Sequence, residues 1–372
     1  MKNFHRVVLI DLAKPHHHVA DVEKDLAELQ SLVKTYGGTD VIRIIQHRTK
    51  PDKATFIGSG KVKELQYIVS KERISHVIIN SIVNHTQLFN LLELLWKVNP
   101  VIAVWDRVDL ILHIFEKHAR TAEAKLQIEI ARMNHMGPRI YGLGGSYFSR
   151  QGGGIGTRGV GQTNIELMKR HWKSQIKRKK EALAKLVQNR LQQLERRRKN
   201  GMKSISIIGY TNAGKTSLFN LLTKKRKIVE DALFVTLDNV SGKIHLPSLN
   251  FSTTISDTIG FVRDLPNTLI DSFKSTLIES VHADLLLHVV DAGDQKIFEK
   301  IGVVEDILRE LDIDLKKQIF VFNKIDKLNG VKTQAVSQLQ SKYEGYHPQF
   351  ISIHSGEGID SLRQIVEKTL HT

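Results

Sequence analysis

The chain has 372 residues, enough for two or three domains, and no cysteine, which excludes a disulfide framework and a zinc–thiolate centre and suits a reducing compartment. Hydrophobic and charged contents of 41% and 25% are those of a packed globular chain, and with no apolar run of membrane-spanning length neither secretion nor a membrane span is indicated. The formal charge of +16 is unevenly placed: Lys169 to Lys203 holds 14 Lys or Arg against Glu181 and Glu195, a stretch that suits a polyanion such as nucleic acid but is also compatible with a plain solvated helix face.

In chain order, Val7 to Ile10, Val41 to Ile45 and Val77 to Asn80 read as short β-rich runs alternating with helical patterns at Val22 to Tyr36 and Leu65 to Ser70. That rhythm predicts a small parallel α/β domain over residues 1–104. His16, His17 and His18 lack a partner at metal-site spacing and read as a polar loop. Gly58 to Lys61, G-S-G-K, reads as a turn and helix start, since Thr55 occupies the first glycine position of a P-loop and Val62 the hydroxyl position; the alternative is a second, ATP-using site in this domain. From Leu110 to about Met136, Leu112, Phe115, Ala119, Ala122 and Leu126 recur every three or four residues, which predicts one long amphipathic helix. A second, Glu166 to Lys199, sets Trp172, Ile176, Leu183, Val187, Leu191 and Leu194 on one seam, so residues 105–200 are expected to form an antiparallel hairpin.

Between these helices, Gly142 to Gly161 carries nine glycines, too many for core, and is expected to be a loop. A bare linker would need no side chains, yet Tyr141, Tyr147, Phe148 and Arg139 are interleaved. Aromatic rings stack on unpaired bases, Arg takes phosphate, and Gly admits close backbone approach, so Arg150, Gly152, Gly153, Gly154, Ile155, Gly156, Thr157 and Arg158 are candidate RNA contacts.

A buried strand, read at Ser204 to Ile208, runs into Gly209, Tyr210, Thr211, Asn212, Ala213, Gly214, Lys215 and Thr216, with Ser217 opening a helix. This strand–loop–helix is the P-loop in its required context: backbone N–H groups cradle phosphates, Lys215 is expected to reach the β- and γ-phosphates, and the Thr216 hydroxyl to ligate Mg2+. The base is read by N-K-I-D, Asn323, Lys324, Ile325 and Asp326, at the end of a strand after Gln318; the Asp326 carboxylate accepts from the guanine ring N–H and amine, an arrangement adenine cannot offer. Between the two, Asp257, Thr258, Ile259 and Gly260 are expected to sense the γ-phosphate, Asp257 holding the metal's water shell. Upstream, Phe234, Val235, Thr236, Leu237 and Asp238 supply a switch threonine, Thr236, as a second metal ligand, and Ser352, Ile353 and His354 are placed to close over the base. Phe261 stands where many G proteins carry a water-orienting glutamine; no catalytic residue is identified, and slow intrinsic hydrolysis is expected.

With these motifs, the chain resembles the HflX family of ribosome-associated GTPases over nearly its full length. Gly58 to Leu65, Asp106 to Phe115 (D-R-V-D-L-I-L-H-I-F), Arg120 to Glu129, Ser149 to Gly159 and Gly209 to Thr216 carry the resemblance. It implies an α/β fold: an N-terminal parallel α/β domain with a long helical hairpin, followed by a P-loop G domain over 201–372 with a mostly parallel sheet flanked by helices. It also implies a GTP- and GDP-binding protein that binds the large ribosomal subunit and its rRNA and splits or rescues stalled ribosomes under stress; apart from the resemblance, the chain is expected to be a cytoplasmic monomer, membrane-associated at most peripherally. The chain departs from the family at Val160 and Gln162, at L-D-N-V-S-G-K after Thr236, and at Ile353, and the extra C-terminal domain of some relatives is expected to be missing. The rival reading is a GTP-regulated factor for another RNA, in tRNA processing or helicase-like remodelling.

Overall fold

The computed structural model describes residues 6–13, 19–151, 158–223, 240–246, 253–258, 260–263, 269, 277–313, 318–328 and 332–371, the side chains of 19–25, 138–151, 158–165, 278 and 332–333 excepted. Its contacts divide into two compact units: residues 1–117 with 125–182, and residues 118–124 with 183–372.

In the first unit, β1 (Arg6–Ala13), β2 (Asp40–His47), β3 (His76–Ile79) and β4 (Ala103–Asp106) form a parallel sheet in the order β2-β1-β3-β4. Helices α1 (Val19–Tyr36), α2 (Ser59–Lys71) and α3 (His85–Trp96) make the crossovers that parallel pairing requires. Val8, paired with Ile42 and Val77, packs with Ile10, Leu65, Ile79, Leu91 and Leu95 in one core. G-S-G-K opens α2, as expected of a turn and helix start. Asp106 and Asp109 form a reciprocal capping box that starts α4 (Arg107–His118): the Asp109 N–H donates to Asp106 at 2.8 Å and the Asp106 N–H to Asp109 at 3.1 Å. The buried Arg107 donates to Asn80 and pairs with Glu28. The D-R-V-D motif is thereby a piece of helix-start architecture.

Two helix expectations need correction. The single helix expected from Leu110 to Met136 is two, α4 and α5 (Ala122–Gln151), because the chain breaks after His118 and restarts where the Thr121 hydroxyl accepts the Ala124 N–H at 3.2 Å. The glycine-rich tract is loop over far less than 142–161: α5 runs to Gln151 and α6 (Arg158–Lys199) starts at Arg158, leaving 152–157 outside the described residues. Backbone hydrogen bonding carries these helices through positions where glycine costs each about 1 kcal/mol relative to alanine. As expected, α5 and α6 run antiparallel: Trp172 donates to the Met133 carbonyl at 2.9 Å, and Lys179 meets Glu129 at 2.6 Å.

In the second unit, β5 (Lys203–Ile208), β6 (Val240–Ile244), β7 (Thr253–Asp257), β8 (Leu285–Asp291), β9 (Gln318–Asn323) and β10 (Gln349–Phe350) form a sheet in the order β10-β9-β8-β5-β7-β6, parallel except for β6 against β7. Around it lie α7 (Lys215–Thr223), the short α8 (Ile278–Val281), α9 (Ile297–Glu310), α10 (Lys332–Lys342) and α11 (Ile359–His371). All six residues of β9 are buried, as a strand covered on both faces demands. Ile319 and Val321 join Ile207, Leu218, Leu287 and Leu362 on one face, while Phe320 and Phe322 join Val290, Ile301 and Tyr343 on the other. Two packed layers thus hold the carboxyl ends of β5, β8 and β9 in fixed relation, and the loops at those ends inherit that rigidity.

Candidate nucleotide site

Three loops meet at the carboxyl edge of this sheet, where ligands of open α/β folds bind. The first, Gly209 to Gly214, joins β5 to α7. Its Gly214 has φ +102°, and a Cβ there would come within 2.3 Å of Asn323 Nδ2, so both conformation and space demand glycine. Thr211 N–H donates to the Phe261 carbonyl at 2.8 Å, and Phe261 N–H to the Gly209 carbonyl at 3.2 Å, tying this loop to the segment after β7.

Lys215 is buried, and its Nζ donates to the Tyr210 carbonyl at 2.6 Å. Burial pulls its pKa down to about 8, opposed by Asp257 and reinforced by Lys324. The Thr216 hydroxyl, at the first turn of α7, donates to Asp257 Oδ2 at 3.0 Å. Gly260 closes this corner: a Cβ there would lie 2.8 Å from Thr211 Cγ2 and 2.9 Å from Lys215 Nζ. A side chain at 260 would therefore crowd both the phosphate loop at Thr211 and the Lys215 ammonium. An all-oxygen donor pair beside such a cradle fits Mg2+, a hard cation that prefers oxygen. Thr258 donates its hydroxyl to the Ile207 carbonyl at 2.7 Å, so that side chain braces β5. Phe261 is 2% exposed, its ring turned into the fold.

The N-K-I-D segment follows β9. Asn323 Nδ2 donates to the Ala213 carbonyl at 2.9 Å, and Lys324, at φ +65°, donates to the Asn212 carbonyl at 2.8 Å. Asp326 accepts the Ser352 hydroxyl at 2.6 Å; this bond, foremost, holds its carboxyl below the usual range. Ser352 and Ile353 lie in the third loop, after β10, where Ile353 N–H donates to Asn323 Oδ1 at 3.3 Å; His354 is exposed. The structure thus brings together the residues expected from 209 to 217, 257, 258, 260, 323 to 326 and 352 to 354. Phe234 to Asp238, including Thr236, Ile259 and Gly152 to Thr157 lie outside the described residues; Arg150 and Arg158 lie in α5 and α6 by backbone alone.

One participant escaped the motif reading. Asp291, last residue of β8, accepts from Lys324 Nζ at 2.7 Å and from Gly293 N–H at 3.0 Å, orienting the lysine onto the phosphate loop. Its signal was an Asp-Ala-Gly at the end of an apolar strand, L-L-L-H-V-V-D, in register with Asn323.

A P-loop after β5, an Asp-x-x-Gly beginning at the end of β7 and an Asn-Lys-x-Asp after β9, on this strand order, define a P-loop GTPase. A family model described as "50S ribosome-binding GTPase" matches residues 204–324, and models described as "GTP-binding GTPase N-terminal" and "GTP-binding GTPase Middle Region" match 23–116 and 118–197. GTPase HflX of Caldanaerobacter subterraneus subsp. tengcongensis is 41% identical over 94% of this chain and 77% of its own length, and that of Escherichia coli K12 is 35% identical over 93% and 79%. The crystal structure of an SsGBP–GDP complex aligns with TM-score 0.55 and 25% identity, covering 98% of each chain. A GTP-binding protein of Sulfolobus solfataricus with GDP shares the fold at TM-score 0.51, 23% identity and coverage of 98% and 99%. The chain belongs to the HflX family of GTPases, enzymes that convert GTP to GDP and phosphate.

Proposed function

We propose that this GTPase is a nucleotide-driven switch that binds the large ribosomal subunit and its rRNA, and dissociates or rescues stalled ribosomes under stress. The observation that carries the reading is α6, a 42-residue helix whose Lys169, Arg170, Lys173, Lys177, Arg178 and Lys180 are all exposed, in a chain whose G domain matches a family described as 50S ribosome-binding. Such a charged rod attracts a polyanion at long range. Arg150, Gly152 to Thr157 and Arg158, between α5 and α6, are the residues proposed to touch RNA. The protein acts in the cytoplasm as a monomer; among the described residues no helix is long and apolar enough to cross a membrane.

At the nucleotide, Gly209 to Ser217 hold the phosphates, Asp326 reads guanine beside Asn323 and Lys324, and Ser352 to His354 close over the base. Lys215 leaves the Tyr210 carbonyl for the β- and γ-phosphates. Thr216 and Thr236 would hold Mg2+, with Asp257 acting through water, and the ion supplies neutralisation of phosphate charge when bound. Gly260 offers its N–H to the γ-phosphate, so that loss of this group releases the segments around Thr236 and Gly260. A phenyl ring cannot orient water, so with Phe261 in that position hydrolysis is slow until the ribosome completes the site.

The test is GTP hydrolysis with purified 50S subunits, 70S ribosomes or free tRNA, with Lys215→Ala as blank. Stimulation by the large subunit, alone or in 70S, and none by tRNA is the expected result. Equal stimulation by free RNA would favour action on another RNA; fast turnover by the isolated protein would remove the role assigned to Phe261.

A further inference from the structure

Arg190 lies in the stretch of α6 that belongs to the second unit, and its guanidinium serves two carboxylates. Nε and Nη2 donate to Glu279 Oε1 at 3.1 and 2.8 Å, and Nη1 donates to Glu123 Oε2 at 3.0 Å. The other Glu279 oxygen accepts the Ser241 hydroxyl at 3.1 Å. The side chains of Arg190, Glu123 and Glu279 are 18%, 15% and 9% exposed, unlike the solvated Lys177 of the same helix at 80%.

What matters is where each partner is rooted. Glu279 sits in α8, the turn that ends the stretch opened by Asp257 and Gly260. Ser241 is the second residue of β6, the first strand after Thr236. Glu123 is in the first turn of α5. One network therefore joins the downstream ends of both segments that flank the γ-phosphate to both helices of the hairpin. Beside it lies a cavity of about 170 Å³, lined by Leu191, Leu194, Ser204, Ser256 and Asp284 among others, with Glu279 and Ser241 of the network on its wall.

We propose that Arg190 is a positioning residue that carries nucleotide state from the G domain to α6 by gripping Glu279 and Glu123 together. The assignment rests on the switch reading above and names the residue through which the switch reaches the basic helix. Coupling requires contacts that differ between two states, and a guanidinium held in place by charge-assisted hydrogen bonds supplies one sensitive to small displacements. A lysine keeps the charge but loses the planar fork, so it grips one partner at a time.

The experiment is amide hydrogen exchange over residues 183–199 with GDP and with a non-hydrolysable GTP analogue, for the wild-type chain and for Arg190→Ala, Arg190→Lys and Glu279→Gln. In the wild type the two nucleotides are expected to give α6 exchange rates differing by about fivefold or more, the lower end of measured couplings. Arg190→Ala and Glu279→Gln should abolish that difference while fluorescent GDP affinity changes by less than about twofold, since neither side chain lies among the residues placed at the nucleotide; Arg190→Lys should restore part of it. Identical α6 exchange with both nucleotides in the wild type, or an undiminished difference in Arg190→Ala, overturns the proposal. Should Arg190→Ala unfold the chain, an undiminished difference in Glu279→Gln overturns it equally. Since this readout needs no ribosome, failure of the large subunit to stimulate hydrolysis would remove the ribosomal reading and leave the exchange result standing.

Discussion

Lys215 is an ammonium kept from water before any phosphate arrives, with its pKa at about 8. Phosphate favours the charged form, so binding raises that pKa and must take up a proton wherever the free lysine is partly neutral. GDP affinity is therefore expected to be flat below pH 8 and to weaken above it. Calorimetry at pH 8.5 in two buffers of different ionisation enthalpy should register uptake of more than half a proton. Asp326 has the opposite bias: with its carboxyl held low, the guanine reading proposed for it is expected to persist into mild acid. Asp326→Asn presents an amide that can donate to a carbonyl at purine C2, so GDP affinity should fall about 100-fold and the xanthosine diphosphate be preferred, checked by competition titration. Both residues were legible in sequence because each sits in a motif of fixed spacing. Asp291 was not: its role depends on β8 and β9 lying side by side, and adjacency of strands is not written in the spacing of either.

At the scale of elements, apolar runs marked the strands well. Ser204 to Ile208 and Gln318 to Phe322 were readable because a strand covered on both faces is predominantly apolar, here Ile205, Ile207 and Ile208 and the run Ile319 to Phe322. Phe320 illustrates what such burial is worth: it stacks between His288 and Phe322 and meets Tyr343 at 4.4 Å. Phe320→Ala should cost about 3–5 kcal/mol of stability, read as a shift in the urea midpoint at constant slope. Helix ends were less legible. The break between α4 and α5 falls inside an uninterrupted three–four pattern, where a threonine cap and one arginine-bearing turn outweigh periodicity. The glycine-rich tract misled in the other direction, since composition registers the entropic cost of glycine in a helix and is blind to whatever offsets it.

For the molecule as a whole, charge is the property that sequence reported most directly, and its arrangement on α6 makes a quantitative claim. If Lys173, Lys177 and Lys180 each neutralise one rRNA phosphate, replacing all three with Gln should lower the dependence of log affinity on log salt by about 2, at ~0.7 for each contact on a single strand and more on a duplex. Sedimentation with large subunits across a potassium chloride series measures this. A drop in affinity with no change of slope would mean that these lysines stay solvated and that the contact lies elsewhere.

The loop proposed to read the base rests on the loop proposed to hold the phosphates, through the Asn323 amide on the Ala213 carbonyl and the Lys324 ammonium on the Asn212 carbonyl. Both bonds run from protein to protein. These two loops are thus braced against each other before a nucleotide arrives, and what remains to move on binding is the Lys215 ammonium. Turnover then asks for no chaperone to shelter the protein between guests: stripped of nucleotide, it should survive purification and refill in a single kinetic phase under stopped flow.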